Sequence, residues 1–158
     1  MVNSLGVPWL LSIDIGTTSC KLMAVDLRGT ILASAREDYP IQRPGPNRVE
    51  QNPEHWWQAV KRGLHRICAD IAIEPKEIKG IGLSGMAATH VFLDKDGRVL
   101  RSAILWQDTR ATKEADAIEE VVSEHRREIL GGEMYINASM QAARMLWVRR
   151  DEPGIIEK

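Results

Sequence analysis

The chain has 158 residues, 44% of them hydrophobic and 27% charged, the size of one ordinary domain with enough apolar content to bury a core. Its 21 basic and 22 acidic side chains leave a net charge of -1, which lacks the basic excess of a binder of nucleic acid or acidic membrane. No apolar stretch approaches the roughly 20 residues of a membrane span, and the N-terminal MVNSLGVPWLL has no basic segment or cleavage site, so a cytoplasmic location is expected.

Trp9 to Ile13 is a short continuous apolar run, as in a central strand covered on both faces, and Lys21 to Asp26 is a second. The turn DLRGT then leads into Ile31 to Tyr39, which reads as the second arm of a hairpin, so three strands open the fold. The Pro- and Asn-rich stretch PIQRPGPNRVEQNPEHWW is predicted to be a loop, with Asn52 as N-cap and Pro53 at the first helical position. Trp56, Trp57, Val60, Leu64, Ile67, Cys68 and Ile71 recur at helical spacing and predict a helix laid on the sheet. Ile78 to Ser84 reads as a strand reached through this crossover, hence parallel to the first.

Val91 to Leu93, the turn DKDG and Val99 to Trp106 predict a further hairpin. The remainder is helical: Ala111, Ala115, Ile118, Val121 and Val122 share one face and Met140, Ala143 and Trp147 another, with Gly131-Gly132 as a break. Cys20 and Cys68 have no CxxC spacing or nearby His, and read as core thiols rather than a disulfide or zinc site. The order of elements predicts an α/β sandwich with a mixed sheet flanked by helices.

The segment joining the first two strands carries chemistry. A turn at Gly16, Thr17 and Thr18 would project amides and hydroxyls at the sheet edge beside the Asp14 carboxylate. Such donors suit a phosphate, and the acid suits Mg2+ held directly or through water. An ordinary Asp-Gly turn with threonines in strand positions would look the same.

Four blocks occur in order: DIGTTSCK before a hairpin, EQNPEHWW opening a helix, GIGLSGM, and LDKDGRVLRSAILWQDTRA, followed by ARMLWVRRDEP. Together they resemble the N-terminal part of the FGGY carbohydrate kinases, whose best-known members include xylulokinase and glycerol kinase, over essentially the whole chain. The resemblance implies an α/β fold of the ribonuclease H-like, actin type, and phosphorylation of a sugar or polyol by ATP. It further implies that Asp14 organises Mg2+, that Gly16, Thr17 and Thr18 border the β- and γ-phosphates, and that Lys21 sits near the transferred group. Lys21 reads equally well as a solvated strand residue. The sugar side would use Met86, Ala87 and Ala88, where similar kinases show Gln-Met-His or Gln-Arg-Glu. Two alanines cannot hydrogen-bond a polyol, so neither xylulose nor glycerol specificity carries over. His90 is a candidate to compensate, but reads first as a satisfied structural side chain.

Asp108 in WQDTRA has two compatible readings: a cap of the next helix, accepting the amide of Arg110 or Ala111, and a member of the sugar site. Arg110 reads as structural, and Trp56 and Trp57 as core rather than a sugar-stacking platform. The family's general base and second, adenosine-binding domain are expected outside residues 1–158, which would then form an N-terminal fragment of the first domain, inactive alone, with exposed apolar surface and a tendency to homo-oligomerise. An actin-like nucleotidase and a binding or scaffolding module without chemistry are the alternatives.

Overall fold

Strand β1 (Trp9–Ile15) alternates buried and more accessible positions, and β2 (Ser19–Asp26) does the same in register with it. These strands belong to a computed structural model that describes residues 8–72 and 75–157. The chain divides into two compact units, one built from the chain up to Ile41 with Pro53–Met86, the other from Gln42–Asn52 with the chain from Ala87 onward.

In the first unit β1 and β2 pair antiparallel, β2 continues antiparallel into β3 (Ile31–Asp38), and β5 (Ile78–Gly85) lies parallel to β1, giving the order β3-β2-β1-β5. The three opening strands and the parallel return are those predicted, with ends shifted by one or two residues. Helix α1 (Pro53–Ile71) starts at the predicted proline and packs on β2 and β3. Leu11, Ile13, Leu22, Ala24 and Ala35 from the sheet meet Ala59 and Ile67 from the helix in one core. Gly63 makes this approach possible, because a Cβ there would overlap Leu22 Cδ1. The helix does not extend over β5, so Ile81 and Leu83 are 63% and 71% exposed although their β1 neighbours Leu11 and Ile13 are buried.

The second unit corrects the sequence reading in two places. The stretch predicted to be a loop contains β4 (Glu50–Gln51), which pairs antiparallel with β6 (Ala103–Ile104). The hairpin predicted between Val91 and Trp106 reduces to single bridges, Leu93 with Val99 and His90 with Ile104, around that short ladder. Inward-facing Ile104 meets Ala111, Ala115, Ala143, Trp147 and Val148 in a second core. Ala115 comes from α2 (Thr112–Val122), which Ala111 directly precedes, and the last three from α4 (Gln141–Asp151); α3 (Arg126–Leu130) and α5 (Pro153–Ile156) are short, and Gly131 ends α3 in a left-handed conformation (φ 71°). Two apolar residues assigned to buried stripes lie outside them: Trp57 is 58% and Val121 76% exposed. Trp57 instead lies under the Lys61 ammonium, 5.8 Å from its ring centroid. Among the described residues no helix is long and apolar enough to cross a membrane.

Candidate functional site

Two polar constellations stand out, one in each unit. In the first, the chain leaves β1 at Asp14-Ile15 and re-enters β2 at Ser19 through a tight turn in which Gly16 N-H donates to the Ser19 carbonyl at 3.0 Å. A Cβ on Gly16 would stand 3.2 Å from that same carbonyl, so the turn leaves little room for a side chain. Tyr39, just past β3, fixes the turn from outside: its hydroxyl donates to the Gly16 carbonyl at 2.5 Å and its amide to the Thr18 carbonyl at 3.1 Å. Burial, with the nearby Cys20 and Asp14 adding to it, pushes the Tyr39 hydroxyl well above its ordinary pKa, which keeps it a donor. Burial likewise raises the Cys20 thiol, leaving it an unreactive core group.

With its carbonyl held by the Tyr39 amide, Thr18 keeps its own donors out of the turn's hydrogen bonds. Thr18 is exposed, and its amide and hydroxyl have no partner among the described residues. Asp14 is half-buried, and its carboxylate likewise has no hydrogen bond or ion pair among the described residues. The ladder sets it opposite Lys21 on β2 and beside Ser84 on β5, while Lys21 lies opposite Arg36 on β3. Register partners share a face, so Arg36, Lys21, Asp14 and Ser84 form a polar row across all four strands, on the face opposite α1. Lys21 is exposed, with the acid as its ladder neighbour. Among the described residues no group of three or more His, Cys, Asp or Glu could cage a metal. A single unengaged carboxylate beside the unpartnered Thr18 donors suits an ion that Mg2+ chemistry shares between one acid and bound phosphates.

The second unit is organised around two buried arginines. Asp108 is 1% exposed, and its carboxylate is filled: Oδ2 accepts from Val49 N-H at 2.6 Å and Arg110 Nη2 at 2.7 Å, Oδ1 from Arg110 N-H at 3.0 Å and Arg110 Nε at 2.9 Å. Burial alone would raise this carboxyl, but the hydrogen bonds from the Arg110 side chain and from the Val49 and Arg110 amides outweigh it and hold the pKa below the aspartate range. Asp108 closes a turn on the Arg110 amide, as expected, yet does not cap the next helix, which begins at Thr112 without a side-chain cap. Arg110 also donates to Glu50 at 2.6 Å, and Glu50 in turn holds Arg101, which reaches Glu152 at 2.5 Å. The guanidinium of Arg110 stacks on Trp147, 4.9 Å from the ring centroid. This chain of pairs fixes the β4 strand to the 101–110 segment and to α4.

Arg144, on α4, is fully buried and has no carboxylate partner at contact distance among the described residues. It donates instead to backbone carbonyls: Ala88 at 2.6 Å, Leu105 at 2.5 Å, Ile104 at 3.1 Å, Ala138 at 3.2 Å and Asp108 at 3.3 Å. A single guanidinium therefore gathers the segment after β5 and the segment before α2, so that Ala88 and Asp108, singled out separately in the sequence, meet around it. Desolvation pushes its pKa down to about 10, with Asp108 opposing the shift and Arg110 adding to it. Sequence reading missed Tyr39, Glu50 and Arg144. Arg144 lies on the buried face with Ala143 and Trp147, and a charge repeating with an apolar stripe is a signal of this kind of role.

The sequence model of the FGGY family of carbohydrate kinases, N-terminal domain, matches residues 9–158. A xylulose kinase of Staphylococcus epidermidis is 34% identical over 148 residues, covering 92% of this chain and 28% of that protein. A glycerol kinase of Thermococcus gammatolerans is 32% identical over 151 residues, covering 95% and 30%. Among solved structures, a "xyloylose kinase" from Brucella ovis superimposes with a TM-score of 0.84 at 32% identity, over 95% of this chain and 31% of that one. The α/β mixed sheet is thus the actin-type, ribonuclease H-like arrangement of sugar kinases, and the chain spans just under a third of the length of these relatives.

Proposed function

The chain belongs to the FGGY family of carbohydrate kinases as its N-terminal domain, and on that premise we propose that it supplies the phosphate side and part of the sugar side of an ATP-dependent kinase acting on a sugar or polyol hydroxyl. The observation that carries this reading is the half-buried Asp14 carboxylate, without a side-chain partner among the described residues, beside the unpartnered amide and hydroxyl of Thr18. Phosphoryl transfer needs charge neutralisation and in-line positioning more than covalent chemistry, and bound Mg2+ supplies much of that neutralisation. Asp14 would hold the ion directly or through water, Gly16, Thr17 and Thr18 would border the β- and γ-phosphates, and Lys21 would sit near the transferred group. Such an enzyme would work in the cytoplasm, where ATP is supplied.

On the sugar side, Met86, Ala87 and Ala88 would meet the acceptor, and the two alanines exclude the hydrogen bonds that similar kinases make there. Asp108 serves this side as a positioning residue. All four of its acceptor sites are filled by Val49 and Arg110, so it acts by holding the segment rather than by bonding a hydroxyl. The general base would lie in the part of the kinase beyond the matched region. Neither an actin-like nucleotidase nor a scaffold is favoured, because the relatives are sugar and polyol kinases.

The test is a coupled assay for ADP release by the full-length kinase carrying this domain, over a panel of ketoses, polyols and sugar acids. Mg2+-dependent turnover stimulated by at least one of them is expected. ATP hydrolysis indifferent to every sugar would overturn the reading, as would sugar-dependent turnover that survives Asp14→Asn undiminished.

A further inference from the structure

We propose that His90 is a specificity-determining residue of the sugar site, held by Arg144 so that its Nε2-H faces an acceptor oxygen of the sugar, hydroxyl or carbonyl. The inference rests on the reading above, that the segment after β5 meets the sugar, and it names a residue that reading leaves out.

The geometry is specific. Arg144 Nη1 lies 2.8 Å from His90 Nδ1. A guanidinium has only donors, so Nδ1 is the acceptor and the ring proton of the neutral imidazole sits on Nε2. Burial, with the Arg144 charge adding to it, holds the imidazole below its ordinary pKa and therefore neutral. The backbone of His90 is fixed as well, exchanging two 3.0 Å hydrogen bonds with Ile104. What remains is one directed N-H with no protein partner among the described residues.

The surroundings point to a ligand rather than to a filled core. The same Arg144 nitrogen that holds the imidazole holds the Ala88 carbonyl, and Ala88 is a non-glycine residue in the left-handed region (φ 51°), a conformation that concentrates at binding sites. Between them, Thr89 Oγ1 is buried without a hydrogen-bond partner among the described residues. The segment directly follows the carboxyl end of a parallel strand, where ligands of open α/β sheets bind. Ala87 and Ala88 offer no side-chain polarity, so the fixed imidazole N-H two residues beyond Ala88 is a directed donor, held in place by Arg144, with which this segment can discriminate a sugar.

Two substitutions separate this role from a purely structural one. His90→Asn places an acceptor near the Nδ1 position for Arg144 and removes the Nε2 donor; His90→Gln keeps a donor near the Nε2 position. In the full-length kinase, with the best sugar of the panel as probe, His90→Asn should raise the sugar KM about tenfold or more while the ATP KM and the melting temperature stay near wild type. His90→Gln should recover most of that loss. Long-range nitrogen-proton NMR of the chain should show a neutral His90 protonated on Nε2 at pH 7. Wild-type sugar affinity in His90→Asn, or an Nδ1-protonated ring, overturns the assignment alone. A wild-type enzyme without sugar-dependent turnover overturns the function proposed above and this assignment with it.

Discussion

Asp14 and Asp108 both stand where a segment ends at a turn, and the structure treats them in opposite ways. Asp108 is 1% exposed with its four acceptor sites occupied. Asp14 is half-buried, and its carboxylate has no hydrogen bond or ion pair among the described residues, although Lys21 and Ser84 are its ladder neighbours. A carboxylate whose acceptors are filled by protein stabilises architecture, and removing it leaves buried partners uncompensated. One kept out of such bonds contributes little to folding and stays available to a ligand. The two units thus divide the labour: the first exposes its acid, the second spends its charges on holding loops.

The largest effect expected from this contrast is on stability in the second unit. Asp108→Asn should lower the unfolding free energy by about 3 kcal/mol, because Arg110 loses its charge partner in a buried site and the new amide turns a donor toward donors. Chemical denaturation measures this; a loss under 1 kcal/mol would mean that the site relaxes or admits water. The pH dependence has a definite sign. The folded carboxyl holds its proton less tightly than the unfolded one, so its stabilisation is fully present above the ordinary aspartate pKa of about 3.9 and is lost as pH falls through and below that value. The variant should lack that part of the acid slope.

Asp14→Asn should show the reverse pattern in the full-length kinase. We expect kcat to fall about 10²- to 10³-fold with the sugar KM and the melting temperature nearly unchanged. A variant that melts early and keeps its turnover would erase the distinction between the two acids.

Legibility in the sequence follows the same division. The strands, α1 and the parallel return of β5 were readable because period and turn residues encode them locally, and Asp14, Gly16, Thr17, Thr18 and Lys21 came as one contiguous block. The second unit was harder. Its β4–β6 ladder is two residues on each side, too short for any periodicity, and joins positions about fifty residues apart. Arg144 finds its carbonyl partners in three separate stretches, so its place on the apolar stripe of α4 marks it as buried but does not say what it holds. The sequence placed Asp108 before a helix but could not show that Val49 and Arg110 saturate it. Trp57 misled because helical spacing marks a face, not how far the sheet beneath extends.

Two smaller effects sharpen the picture of each unit. Gly63→Ala puts a methyl group where Leu22 already lies, and should cost about 1–3 kcal/mol in thermal or chemical unfolding. No loss would mean that α1 can lift from β2 freely. Ala88→Gly relieves a left-handed alanine at the cost of a more flexible unfolded chain, and a net gain of about 0.5 kcal/mol is expected. A loss above 1 kcal/mol would contradict the left-handed backbone.

The central claim, that Asp14 is kept free for a nucleotide-bound metal, is tested most directly by paramagnetic broadening in the full-length kinase with Mn2+ and ATP in place of Mg2+ and ATP. Amide signals from Ile15 to Ser19 and of Lys21 are expected to broaden first, ahead of Trp9 and Asp26 at the other end of the same two strands, and Asp14→Asn should weaken the effect. Broadening centred on Trp9 and Asp26, or broadening at Ile15 to Ser19 that Asp14→Asn leaves intact, would contradict it.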